Sequence, residues 1–450
     1  MPKELNEEII LQKKQVFSSD CKVNLTAACK PGNGILVLDE FQKRNAIHDF
    51  DSSKVNPVFF IPASGSGSRM FQFLFEWLET KEETPLVKSF FEHVEEMAFF
   101  KAKGLVVKEK EELVRQLLDN SQLNLGERPK GFVPFHEEDE GYFTAFQDQV
   151  RQAFQLTHNT TEIHFTIQPK FEGEIKKHLE SLNLPVQLHF SYQEEFTNAF
   201  CFDENQGLIE ANGVPLRRPA GHGALLDNLN EIDADILLIK NIDNVQHTSK
   251  AELTVDTWRV AIGTLLRFQQ ELKELSENYS LERLVELNSN YQFLSPQEIT
   301  EMDQSKLSVL FDRPSRVCGM VKNEGEPGGG PFWVESNGKV SKQIIEKIQI
   351  SNTTEQQEIV TGSTHFNPVF IVASKTSCNG KRLDLLNFRD DEAFFVVEKS
   401  QLGKNVLYRE LPGLWNGAMS KWNTIFVEIP SETFSPVKTI LDLTKVAHKA

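Results

Sequence analysis

A chain of 450 residues can bury a large core, either as one big domain with insertions or as two domains, and the single large domain is the preferred reading. Its 39% hydrophobic and 25% charged content is that of an ordinary soluble globular protein, and a formal charge of −17 repels nucleic acid and anionic membrane at long range. Cys21, Cys29, Cys201, Cys318 and Cys378 stand singly, which argues against a disulfide framework or a zinc site, and no apolar run approaches the ~18 residues of a membrane helix.

In chain order, residues 1–56 read as a mostly helical leader without a signal-peptide core, so a cytoplasmic protein is expected. Val58, Phe59, Phe60 and Ile61 then form a short run of β-formers bounded by Pro62 and Gly65, the pattern of a buried parallel strand. Apolar residues at helical spacing fill 71–120, with Phe73, Phe90, Phe91 and Trp77 as core, and this block is read as part of an insertion over 71–129. Helix, strand, helix and strand are predicted at 145–156, 162–167, 172–182 and 186–192. A further buried strand covers 235–244 and ends in Asn241, Asp243 and Asn244, where ligands of open α/β sheets gather. A long helix is predicted at 254–275, then a strand-rich tail, with Pro436, Val437 and Lys438 introducing a last helix. Residues 136–140, His-Glu-Glu-Asp-Glu, read as a solvated charged face. The expected division is a leader (1–56), an α/β domain (57–375) and a C-terminal segment completing the site (376–450).

The most informative segment follows the first core strand: Ser64, Gly65, Ser66, Gly67, Ser68, Arg69. Small side chains let a ligand approach the backbone, glycine permits amide groups to point inward, and an arginine can fork onto phosphate oxygens. The same composition also serves plain connections. A P-loop needs Gly-Lys-Ser/Thr where this turn has Gly67-Ser68-Arg69, and a dinucleotide loop needs glycine where Met70 stands.

Further segments in order sharpen the reading. Pro129-Lys130-x-x-x-Pro134, about 60 residues beyond the turn, resembles the Pro-Lys element of sugar-phosphate nucleotidylyltransferases. Gln193 after a strand, Pro219-x-Gly221-His222-Gly223, Asn241-x-Asp243-Asn244, Thr364-His365-Phe366-Asn367 and Phe434-x-Pro436-Val437-Lys438-x-x-x-Asp442-Leu443 are similar to the corresponding elements of the UDP-sugar pyrophosphorylases. No one of these motifs is specific; their order is. The chain also resembles an uncharacterised bacterial family of unknown function carrying the same segments.

The resemblance implies a Rossmann-like, glycosyltransferase-A-like α/β fold: a mixed, mostly parallel sheet with helices on both faces plus a helical insertion. It implies transfer of a nucleoside monophosphate, UMP from UTP, to a sugar 1-phosphate with release of pyrophosphate, dependent on Mg²⁺. Arg69, Lys130 and Lys438 would neutralise the phosphates, and Asp243 would hold the metal. Ser64, Gly65, Ser66, Gly67, Ser68, Gln193, Gly221, His222 and Gly223 would hold the nucleotide. His365 and Asn367, with Glu326, Gly328, Gly329 and Gly330, would face the sugar. The three adjacent glycines suit a close ligand or a mobile connection equally.

The turn lacks the family's extra glycine, and the second metal-binding aspartate of small bacterial enzymes has no counterpart. A non-catalytic nucleotide-sugar-binding protein is therefore one alternative. A glycosyltransferase is another, although Asp233-Ala234-Asp235 precedes its strand. Nucleic-acid and membrane partners are not expected, and the sequence leaves oligomeric state open.

Overall fold

The computed structural model describes residues 3–18, 22–139, 141–157, 161–325, 328–401 and 404–450. The chain divides into two compact units. One comprises Met1–Phe50, Gln193–Ile236 and Ala261–Glu428, the other Asp51–Tyr192, Leu237–Val260 and Ile429–Ala450.

The second unit is built on the predicted strand. Val58–Pro62 runs parallel to Thr161–Thr166 on one side and to Ile236–Ile239 on the other, and Val186–Ser191 extends the sheet in parallel beyond Thr161–Thr166. Phe59 and Phe60 are buried on opposite faces, as continuous apolar character requires of a strand covered on both sides. The helical block consists of Gln72–Thr80, Pro85–His93, Ala98–Ala102 and Lys110–Leu118. Its aromatics form the expected core: Phe73 meets Phe90 edge-on at 5.9 Å, and Trp77 meets Phe91 at 5.5 Å. Thr84 caps the second helix by accepting from the Val87 N–H, with Pro85 in the first turn, where its missing N–H costs nothing.

In the first unit, Lys30–Pro31, Gly34–Leu36, Asn423–Glu428 and Ser315–Lys322 pair in that order, all parallel, and Ile371–Ser374 joins antiparallel. A separate antiparallel sheet holds Asn24–Ala28, Gly330–Ser336 and Lys339–Ile345. The architecture is mixed α/β with mostly parallel core sheets, as expected.

Three local expectations are corrected. The leader holds helices Lys3–Ser18 and Glu40–Ser52, but three strands lie between them. Leu25 and Ala28 of the first pack with Phe332 and Val334, so tertiary burial overrides local helix propensity. The last helix does not form. After Lys438 the chain makes two 3₁₀ turns, Ile440–Thr444 and Val446–His448, because a capping box between Thr439 and Asp442 closes one turn and no apolar period follows. Finally, the 136–140 stretch is a solvated face only in part: Glu137 and Asp139 are exposed, Glu140 lies outside the described residues, and the other two are drawn inward. His136 is fully buried, and Glu138 is half-buried and bonded to Arg151 and Thr248.

Candidate active site

The glycine turn leaves Val58–Pro62 and is held from three directions within the second unit. Gln168 Nε2 donates to Ser64 O at 2.6 Å, Gly67 N–H donates to Arg128 O at 2.9 Å, and Lys130 N–H donates to Gly65 O at 3.2 Å. A bridge between Ser66 and Pro129 completes the join, so the turn and the Pro-Lys segment are one construction despite the helices between them. The two glycines differ. A Cβ on Gly67 would lie 2.2 Å from Leu125 O, whereas one on Gly65 would meet nothing within 4 Å. Neither has a positive φ, so packing and access, not left-handed backbone, require glycine here. Ser66 and Ser68 share a hydroxyl hydrogen bond at 3.0 Å. Ser68 and Arg69 are exposed at the turn's rim.

Asp243 follows Ile236–Ile239 and is 2% exposed. Its Oδ2 accepts from Lys130 Nζ at 2.5 Å and from Lys438 Nζ at 3.1 Å. The first lysine arrives from the segment beside the glycine turn and the second from the C-terminal tail. Asn244 brings the tail in: its Oδ1 accepts from Ser435 N at 2.9 Å, and it bridges Pro436, while Val437 N donates to Asp243 O at 3.0 Å. Gln149, buried on helix Ala145–Thr157, clasps the loop from beneath, its Nε2 donating to the carbonyls of Asn241, Ile242 and Asn244. Nothing in its sequence neighbourhood signalled that role.

Burial pushes the Asp243 carboxyl up, but the charges and hydrogen bonds of Lys130 and Lys438 outweigh it and hold the group below the usual carboxylate range. Burial pushes Lys130 down. Asp243 opposes that, Lys438 and Arg69 add to it, and the result is an amine below its ordinary value. Lys438 and Arg69 therefore both repel the Lys130 ammonium beside its buried carboxylate, an arrangement that an arriving polyanion relieves. Among the described residues no group of three or more His, Cys, Asp or Glu is arranged to hold a metal ion. One carboxylate fits Mg²⁺ only where ligand phosphates and water complete an octahedron.

The other predicted residues lie in the first unit. Gln193 Nε2 is buried without a hydrogen-bond partner among the described residues. His222 is locked. Its Nδ1 accepts from Leu414 N at 2.9 Å, so its Nε2 carries the hydrogen toward Glu346 Oε1 at 3.2 Å, and its ring stacks on Trp415 at 4.0 Å. Gly221 has φ 74°, and a Cβ there would strike Glu410 Oε2 at 2.4 Å; one on Gly223 would strike Pro412 O at 2.2 Å. Glu346, Glu410 and Trp415, absent from the sequence reading, thus shape this loop, and burial pushes the Glu410 carboxyl up.

His365 is 3% exposed with both ring nitrogens engaged, by Glu428 at 2.9 Å and Thr364 at 2.8 Å. Asn367 donates to Gly319 O at 2.8 Å, accepts from Val369 N and bridges Gly329. Cβ atoms on Gly328, Gly329 and Gly330 would meet Phe366, Ile344 and Phe332 within 2.7 Å, so protein packing already accounts for all three glycines. Glu326 lies outside the described residues. Asp233 is exposed, ion-paired to Arg382 and upstream of its strand, as the sequence placed it.

The profile of the family described as Domain of unknown function (DUF4301) matches residues 2–449. Among solved structures the chain is similar to the uridine diphosphate N-acetylglucosamine pyrophosphorylase from Trypanosoma brucei in complex with inhibitor, at 12% identity and a TM-score of 0.53, over 98% of this chain and 74% of that one. It is also similar to a UDP-glucose phosphorylase from Trypanosoma brucei (13% identity, TM-score 0.46, 98% and 73% of the two chains). A putative UDP-N-acetylglucosamine pyrophosphorylase from Entamoeba histolytica matches at 13% identity and a TM-score of 0.45, over 88% and 79%. No curated protein matches the chain. At such identity the first likeness is one of fold alone, shared with that uridine diphosphate N-acetylglucosamine pyrophosphorylase, and the two lower scores add no argument. The chain belongs to the family described as Domain of unknown function (DUF4301).

Proposed function

We propose that the protein is a sugar-1-phosphate nucleotidylyltransferase that takes UMP from UTP. The observation that carries this reading is the convergence of Lys130 and Lys438, 308 positions apart in the chain (438 − 130), on the buried Asp243 Oδ2, in a unit where Lys130 is bonded to the open side of the glycine turn. A sugar 1-phosphate oxygen attacks the α-phosphorus, a new P–O bond forms, and the bond from the α-phosphorus to the bridging oxygen breaks, releasing pyrophosphate. No side chain becomes covalently attached. Lys130, Lys438 and Arg69 hold the anions in line and offset the charge building on the transferring group. Asp243 would be the residue to hold Mg²⁺, which when bound would supply further charge neutralisation. Gln193 offers its unpartnered N–H to a pyrimidine carbonyl. His365 and Asn367, already bonded within the protein, act on the sugar side by fixing their loop.

The test is release of pyrophosphate from UTP with Mg²⁺ and a panel of sugar 1-phosphates, beside a thermal-shift screen of the same ligands. Turnover with at least one sugar phosphate is expected. A rise in melting temperature with nucleotide sugars but no turnover across the panel favours a nucleotide-sugar-binding protein, a reading supported by Asp243 being, among the described residues, the one carboxylate bonded to both lysine ammonium groups. Neither turnover nor ligand stabilisation would overturn both.

A further inference from the structure

Outside the lysine cluster, the second unit buries a chain of three titratable side chains. His136 Nδ1 lies 2.7 Å from Asp148 Oδ2, and His136 Nε2 lies 2.9 Å from His448 Nδ1. Asp148, His136 and His448 are 2%, 0% and 5% exposed. The two imidazole planes are nearly parallel, 14° apart. Polar groups so deeply buried are costly unless each is bonded, and a bonded line of three fixes relative position far more narrowly than apolar packing does. The carboxylate requires the hydrogen on His136 Nδ1, which leaves His136 Nε2 to accept from His448 Nδ1–H.

What the line joins is specific. His136 stands on Pro134–Glu138, four positions after the turn Lys130–Phe132 ends, and Asp148 on helix Ala145–Thr157. His448 is the last residue of the 3₁₀ turn Val446–His448, in the tail that carries Lys438. The line therefore ties the segment of one site lysine to the segment of the other. His247 repeats the tie, its N–H donating to Ala447 O at 2.9 Å while its Nε2 meets Glu137 O at 3.1 Å. Between His448 and Lys438 the tail is stiffened by Asp442. One of its oxygens accepts from the backbone N–H groups of Lys438 and Thr439, both at 2.8 Å, and the other pairs with Lys445 at 2.8 Å. Ile440 N–H, finally, donates to Met70 O just past the glycine turn.

We propose that Asp148, His136 and His448 are positioning residues that hold the C-terminal tail so that the Lys438 ammonium meets Asp243 beside Lys130. This rests on Lys438 serving the phosphates, as proposed above. The side chain of Lys438 is 57% exposed on a flexible stem, so its place is set by the backbone beneath it.

The test is amine acetylation read lysine by lysine by peptide mass spectrometry on the full chain, which needs no turnover. In His448→Ala, Lys438 is expected to label about fivefold or more faster than in the parent, with exposed Lys176 unchanged, and His448→Gln, which keeps a donor toward His136, restores most of the protection. Unchanged Lys438 labelling in a folded His448→Ala protein overturns the proposal. Should that variant fail to fold, Asp148→Ala, which removes the acceptor of the His136 Nδ1–H, is read in the same way and decides in the same direction. Where turnover is measurable, His448→Ala is expected to add nothing to the loss in Lys438→Ala, because both act on one interaction. Additive losses overturn the positioning role. Inactivity of the parent with altered Lys438 labelling would sink the enzymatic reading and leave the positioning intact.

Discussion

Asp243 and its two lysines show how a buried charge is made tolerable. Lys130 is 22% exposed at its side chain and Lys438 57%, so the first ion pair is desolvated and the second largely screened. Replacing Asp243 with asparagine keeps the shape but strands the Lys130 ammonium. We expect Asp243→Asn to lose about 3 kcal/mol in urea unfolding, the size found when one partner of a buried pair is removed. Lys130→Ala should lower turnover with UTP by about 10²- to 10³-fold, the typical cost of one preorganised donor to developing charge. Full activity in that variant would remove Lys130 from the mechanism. The sequence named all three charged residues, since each sat in a motif. It was silent about Gln149 and Gln168, whose amides do ordinary bonding that only the folded chain makes local.

The glycine turn has meaning only as part of a larger element, joined to residues 128–130 by two main-chain hydrogen bonds and a bridge. Its two glycines should separate experimentally. Gly67→Ala forces a Cβ into Leu125 O and is expected to cost more than about 1 kcal/mol, as overpacking does. Gly65→Ala has room and should leave the melting temperature unchanged within error, yet weaken nucleotide binding in a thermal-shift titration. Equal stability loss in both would refute the assignment of separate roles. The tail illustrates the opposite case. Pro436-Val437-Lys438 promised a helix, but Asp442 spends its carboxylate on a single turn, and the tail is held instead by side chains far away in sequence.

For the whole molecule, the sign of acid sensitivity follows from its buried imidazoles. Burial and the neighbouring His136 push His448 down to about 3, and burial and His189 push His164 down to about 4. Both folded values lie below the unfolded imidazole value of about 6.5, so the folded state binds fewer protons in between. Their stabilising contribution is complete above about pH 6.5 and fades as pH falls toward 3 to 4. Asp243 adds to the same trend below about pH 4, the unfolded carboxyl value, its folded value being depressed. The groups around His448 are His136, Asp442 and Lys445, with Asp148, Arg151 and His247 behind the pair. Urea midpoints measured from pH 7 to pH 4 should therefore fall steadily, and His448→Gln should flatten the slope. No helix among the described residues is long and apolar enough to cross a membrane.

The linear chain determined the parallel strand at 58–62, its glycine turn and the ordered motifs, because apolar runs, small-residue turns and charged signatures are local properties of neighbouring letters. Only the tertiary structure decided that two lysines share one carboxylate oxygen, that Gly67 and not Gly65 is packed, and that His136 is buried instead of solvated. Those outcomes depend on which distant backbone atoms and counter-charges arrive at a place, and burial makes each arrival either required or prohibitive.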